Sequence, residues 1–268
     1  MSVGKSHRTP FKHFVLDKLL GSHVGRIATG RVKFIFGDTH IVDLCAGDGS
    51  PGDHGLSSPQ IIHKHSKWAA SEFLKRGCRS RVKVTMIEKA EASYLSLERN
   101  LNRPKPYDLN LIHGDARSFR LSVGGKNEAA FINADPNHVA HMPLARDLVE
   151  SFPKLTTMTL TLGCNVGGIK RMKREDREQW FEYVDMCTGK MQSYHDAILC
   201  SVVRDASQWA YLSIIPKADT DQVGKLLTKA GAAEFDHGVS CVSFRDSAEK
   251  FSRGVDELFL QKKELQHA

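Results

Sequence analysis

Apolar positions along the chain switch repeatedly between a helical and a strand period, and that alternation predicts an α/β protein. Behind Thr9-Pro10, Phe11, Phe14, Val15, Leu19 and Leu20 recur at helical spacing. Threonine suits the cap and proline the first helical position, with Gly21 as the expected stop. This helix should pack on a sheet edge and turn Lys12, His13 and Lys18 outward. Ser58-Pro59 starts a second helix, in which Ile61, Ile62, His65, Trp68, Ala69 and Phe73 share a face ending at Gly77. Residues 89–100 form a third, with Tyr94, Leu95 and Leu97 inward, and helical patterns recur at 144–152, around Trp180 and at 221–230. Between them, residues 41–46, 81–88, 108–112, 129–134, 156–162, 197–203 and 209–215 read as seven strands, with 240–244 a candidate for one more. The runs 197–203 and 209–215, separated by Arg204-Asp205-Ala206-Ser207-Gln208, carry a hairpin signal.

The expected fold is therefore a Rossmann-like, doubly wound, mostly parallel seven-stranded sheet. It carries a late antiparallel hairpin and helices on both faces. Residues 1–37 read as a helical, basic extension, 38–245 as the main domain and 246–268 as a charged tail.

Composition adds three constraints. A chain of 268 residues, 41% hydrophobic and 26% charged, can bury a full core without covalent staples. Its six cysteines, Cys45, Cys78, Cys164, Cys187, Cys200 and Cys241, include no C-x-x-C pair. This argues against a zinc site or a disulfide framework and for a reduced, cytoplasmic protein. No apolar leader and no run of 18 apolar residues is present, so neither export nor a membrane span is expected. The net charge of +7 favours an anionic partner, nucleic acid first, although a basic surface is also compatible with an enzyme acting on something else.

The candidate chemistry gathers at strand ends. Ile41-Val42-Asp43-Leu44-Cys45-Ala46-Gly47-Asp48-Gly49-Ser50 runs a buried strand into a turn with two glycines one residue apart. Glycine is needed where a ligand approaches the backbone closely. The stretch Gly47-Asp48-Gly49-Ser50-Pro51-Gly52 also satisfies the dinucleotide-binding spacing, a weak signal alone. The second strand closes on Glu88, an acid placed to accept ribose hydroxyls. The third ends in Gly114-Asp115-Ala116, and the fourth runs into Asp135-Pro136-Asn137-His138. After the fifth comes the most basic run of the chain, Lys170, Arg171, Met172, Lys173 and Arg174, which suits either a solvated face or a phosphate backbone.

These residues, in this order, resemble the class I S-adenosylmethionine-dependent methyltransferases over about residues 38–216. The resemblance implies a cofactor site made of Asp43, Cys45, Ala46, Gly47, Gly49, Glu88, Asp115 and Ala116. Asp43 would steer the methionine amino group, Glu88 the ribose and Asp115 the adenine amino group. Asp135-Pro136 is similar to the strand end of enzymes that methylate exocyclic amines, which implies catalytic roles for Asp135, Pro136, Asn137 and His138. There Asn137 replaces a second proline, and His138 replaces an aromatic ring. An N-terminal basic helix, Asp43-Leu44-Cys45-Ala46-Gly47-Asp48-Gly49, Ser57-Ser58-Pro59 and Asp135-Pro136 resemble the three-Cys-motif partner family in particular. The expectation is methylation of a nucleobase amino group, adenine N6, in DNA or RNA. Lys170, Arg171, Lys173 and Arg174 would contact substrate, and no metal is required. A methyltransferase for a small molecule or protein, or an inactive binding module with a partner, are the alternatives. Oligomeric state is not legible.

Overall fold

A computed structural model describes residues 9–30, 37–51, 55–121, 127–134, 158–165, 195–202, 209–236 and 238–244. Its strands are β1 (Thr39–Asp43), β2 (Val82–Glu88), β3 (Asp108–His113), β4 (Ala129–Ala134), β5 (Met158–Asn165), β6 (His195–Val202), β7 (Trp209–Pro216) and β8 (Val239–Phe244). They form one sheet in the order β3-β2-β1-β4-β5-β7-β6-β8. β1 to β5 run parallel, and in the register Asp43 lies level with Met86 on one side and Asn133 on the other. β7 is antiparallel to β5, and β6 is antiparallel to both β7 and β8. Among the described residues the sheet thus has eight strands, where seven were expected. The segment 203–208 between β6 and β7 lies outside the described residues.

β1 and β4 are buried along their whole length. That is the expected state of central parallel strands covered on both faces, and it accounts for their runs of apolar side chains. β3, at the sheet edge, exposes Asp108 and Asn110.

The described helices are α1 (Thr9–Ala28), α2 (Ser58–Lys75), α3 (Glu91–Leu101) and α4 (Thr220–Glu234). α1 does not stop at Gly21 but continues for seven more residues. A Cβ at position 21 would come within 2.9 Å of His65 Cε1, so this glycine marks a close approach to α2 rather than a helix end. Asp17 fastens the same contact, accepting from Lys64 Nζ at 2.7 Å and His65 Nε2 at 2.8 Å. Phe11, Phe14, Val15, Leu16, Leu19, Leu20, Val24 and Ile27 are buried in the common core. They pack over β4 and β5, in the middle of the sheet rather than at its edge. Lys12, expected outward, is only 7% exposed.

α2 begins where Gln60 Oε1 accepts the Ser57 amide at 3.0 Å. It buries Ile61, Ile62, Ala69 and Phe73, but Trp68 stands 41% exposed. α3 buries Leu97 and Leu101, whereas Leu95 faces solvent. α4 is tied to α1 through Phe235, which packs edge-on against Phe11 and Phe14, and through the Arg26–Asp219 ion pair. Because α1 touches both α2 and α4, these three helices share one face of the sheet. The helices expected at 144–152 and around Trp180 lie outside the described residues, as do 1–8 and the tail from 245 onward. Among the described residues, no helix is long and apolar enough to cross a membrane.

Candidate functional site

From β1 the chain moves outward through β2 to β3, then returns to place β4 on the other side of β1. In open α/β sheets, the crevice outside the carboxyl ends of the strands at such a reversal is where ligands bind. The ends of β1, β2 and β4 bring Asp43, Glu88 and Asn133 to this reversal.

The turn after β1 has a defined shape. Gly47 and Gly49 have φ of 68° and 69°, the left-handed region that favours glycine. Their roles differ. A Cβ on Gly47 would meet nothing within 4 Å, so this backbone is open to an approaching ligand. A Cβ on Gly49 would lie 2.9 Å from Leu97 Cδ1, so that glycine admits α3 instead. Asp48 Oδ1 accepts the Ser50 amide at 3.0 Å, and Asn100 of α3 donates to Asp48 O at 3.0 Å and to Ser50 Oγ at 3.3 Å. The Ala46 amide donates to Ile87 O at 3.0 Å, binding the turn to β2, and the Ala46 side chain is buried. Cys45 is exposed.

Glu88 links the turn after β1 to the chain leaving β2. Its Oε2 accepts the Gly47 amide and its Oε1 the Ala90 amide, each at 2.8 Å. The carboxylate therefore holds the glycine turn in place, and its remaining lone pairs can still accept hydroxyl groups. Asp43 is fully buried, and its Oδ1 accepts from Asn133 Nδ2 at 3.0 Å. The backbone carbonyl of Asn133 also accepts the Leu44 amide at 2.9 Å. Reading the sequence alone passes over Asn133. Its signal is a single amide side chain in the apolar run Ala129-Ala130-Phe131-Ile132-Asn133-Ala134, interpretable only once the register sets it beside Asp43.

Asp115 sits at the end of the edge strand, but its carboxylate has nearby partners. It caps the short 3-10 turn Ala116–Ser118, accepting the Arg117 amide at 3.0 Å and Arg117 Nε at 2.9 Å. Lys89 Nζ donates to its Oδ2 at 3.0 Å. Arg117, and then Lys89, hold this carboxyl far below the usual carboxylate range. Beside it, Tyr94 stacks on His113 with ring centroids 5.1 Å apart and planes 23° from parallel.

The expected catalytic residues Asp135, Pro136, Asn137 and His138 lie outside the described residues, as do Lys170, Arg171, Lys173 and Arg174. Asp135 directly follows Ala134, the last residue of β4. Among the described residues, no cluster of three or more His, Cys, Asp or Glu side chains is placed to hold a metal ion.

No family model matches the chain, and neither does any curated protein. Solved structures do resemble it. Protein LPL1258 of Legionella pneumophila, described under the family model DUF519, is 12% identical with a TM-score of 0.53, over 87% of this chain and 97% of that one. An rRNA methylase from Streptococcus thermophilus is 13% identical with a TM-score of 0.43, over 73% and 93% of the two chains. The pre-rRNA processing protein fibrillarin of Methanococcus jannaschii is 14% identical with a TM-score of 0.40, over 67% of each chain. The first likeness establishes a shared fold, which agrees with the Rossmann-like sheet described above.

Proposed function

We propose that the chain is an S-adenosylmethionine-dependent methyltransferase acting on an exocyclic amino group of a nucleobase, adenine N6, in RNA or DNA. The observation that carries this reading is the group of residues at the strand ends where the sheet order reverses. An open, left-handed Gly47 is held there by Glu88, beside a buried Asp43 whose geometry Asn133 sets. Such a backbone cradle flanked by two acids fits a ligand with an amino group at one end and ribose hydroxyls at the other. Asp43 and the turn at Cys45, Ala46, Gly47 and Gly49 would hold the methionine portion, Glu88 the ribose, and Asp115 with Ala116 the adenine. The cofactor supplies an already activated methyl group.

The chain's own task is then to align an acceptor. Asp135 and the Pro136 carbonyl would accept protons of the target amine and fix the direction of its nitrogen lone pair. Asn137 and His138 would line the base, and Lys170, Arg171, Lys173 and Arg174 would contact phosphates. This role is supported by chain continuity from β4 and by the net charge of +7.

Titration calorimetry with S-adenosylmethionine and its demethylated product, followed by transfer of labelled methyl to RNA, DNA, proteins and metabolites, tests the proposal. Binding of both ligands and labelling of nucleic acid are expected. Absence of binding at millimolar ligand would remove the cofactor assignment. Labelling confined to proteins or small molecules would remove the nucleobase.

A further inference from the structure

The wide sequence spacing of the cysteines hides one close pair. Cys200 of β6 and Cys241 of β8 are directly opposed in the antiparallel register, and their Sγ atoms lie 3.2 Å apart. Opposed residues of an antiparallel pair have Cα atoms about 4.5–5.5 Å apart, inside the roughly 4.4–6.8 Å that a disulfide spans. Strand pairing alone therefore brings the two thiols to bonding reach.

We propose that Cys200 and Cys241 form an oxidisable cross-strand pair, closed by a hydroperoxide into a disulfide that staples the edge strand β8 to β6. The two thiols have different parts. Cys200 is fully buried, while Cys241 is partly accessible. The contact between the two sulfurs and the neighbouring Thr228 hydroxyl lower the Cys241 thiol's pKa, whereas the same contact and burial raise that of Cys200. Cys241 is the attacking sulfur, because of the two it is the one a peroxide can reach, and its thiolate is the nucleophile. It displaces water from hydrogen peroxide as the O–O bond breaks, becoming a sulfenic acid. Cys200 Sγ then attacks that sulfur, its proton leaves with the sulfenic hydroxyl as a second water, and the S–S bond forms. Two electrons pass from the sulfurs to the peroxide.

The closed loop would enclose β7 and α4 and fix the outer end of the sheet. The crevice at β1 and β4 lies several strands away, so this inference stands independently of the proposed activity.

The full-length chain, reduced and then treated with stoichiometric hydrogen peroxide, should yield a Cys200–Cys241 linked peptide in a non-reducing digest. The peptide should be two hydrogens lighter than its separated parts and should split with dithiothreitol. The thermal midpoint should rise on the order of 10 °C, as a loop of this length implies. Cys200→Ser should leave Cys241 as a sulfenic acid trapped by dimedone, and Cys241→Ser should leave Cys200 unmodified. Recovery of both as free thiols from peroxide-treated wild type would overturn the proposal. So would linkage of either to a different cysteine. Linkage without a rise in midpoint would overturn the stapling role.

Discussion

Asn133 Nδ2 donates to Asp43 Oδ1 at 3.0 Å across the β1–β4 pair, joining two strand ends separated by 90 residues. Both side chains are buried, so the amide is a fixed donor that compensates a carboxylate already removed from water. Removing it by Asn133→Ala should cost roughly 1.5–3 kcal/mol in denaturant unfolding, the range for a hydrogen bond to a charged group. Asn133→Asp should be worse at neutral pH, because two carboxylates would share the site and one would have a raised pKa. A raised folded-state pKa favours the fold below that pKa. The deficit of the aspartate variant should therefore shrink as pH falls, and a deficit independent of pH would show that the site does not couple the two groups.

The two turn glycines should fail in different ways. At Gly47 an alanine meets no atom but must adopt a φ of 68°, and its methyl group would stand in the open cradle. We expect Gly47→Ala to cost on the order of 1 kcal/mol of stability and at least tenfold in cofactor affinity. At Gly49 the added methyl would press on Leu97, so Gly49→Ala should cost more stability, about 1–3 kcal/mol. Paired calorimetric titration and urea melts distinguish the outcomes. Wild-type affinity in Gly47→Ala would place the ligand elsewhere.

Glu88 holds the Gly47 and Ala90 amides at once. Glu88→Ala should therefore weaken the cofactor by roughly 1.5–3 kcal/mol, combining lost hydroxyl acceptors with a loosened turn. Glu88→Gln keeps one carbonyl acceptor and should fall between alanine and wild type. Equal dissociation constants for all three proteins would assign ribose binding to another acid.

Much of this arrangement is legible in the sequence because it is local. Alternation predicts β2 up to Glu88, and the glycine spacing marks the turn at 47–49, whose shape follows from neighbouring backbone. What stays hidden depends on contacts between distant segments. Asn133 is an ordinary strand residue until the register pairs it with Asp43. Gly21 has the sequence signature of a helix stop, but it serves the approach of His65 from α2. Trp68 and Leu95 fit an apolar stripe by spacing, but the buried contacts of their helices are made by residues such as Phe73 and Leu97, and both side chains are largely exposed. Cys200 and Cys241 are separated by 41 residues, and only the pairing of β6 with β8 unites them.

Acid should weaken the fold through His23. Its ring is buried edge-on to Phe131, 5.6 Å away. Burial, reinforced by the Arg26 charge, pushes its pKa down to about 3. The unfolded chain takes up a proton near pH 6.5, whereas the folded chain does so only near 3. The contribution is therefore complete above pH 6.5 and is lost as pH falls toward 3. By linkage this amounts to about 2 kcal/mol between pH 6.5 and 5. His23→Gln should flatten the stability profile over that interval, whatever its absolute stability. An identical slope in the variant would mean that other groups carry the acid sensitivity.

The chemistry itself is tested at the end of β4. Asp135 follows Ala134 and, on the proposed reading, orients the acceptor nitrogen without touching the cofactor. Asp135→Ala should then lower methyl transfer at least a hundredfold, on the order of 2.7 kcal/mol of transition-state stabilisation, while the cofactor dissociation constant changes only a few-fold. His138 separates two versions of the site. If it stacks on the target base, His138→Phe retains activity, because a phenyl ring offers an equal or larger face. If it moves a proton, His138→Phe fails, and the wild-type rate follows the titration of an imidazole. Full activity in Asp135→Ala would sink the exocyclic-amine assignment. The acceptor would then be an oxygen or a carbon, for which no side chain needs to draw protons from an amine.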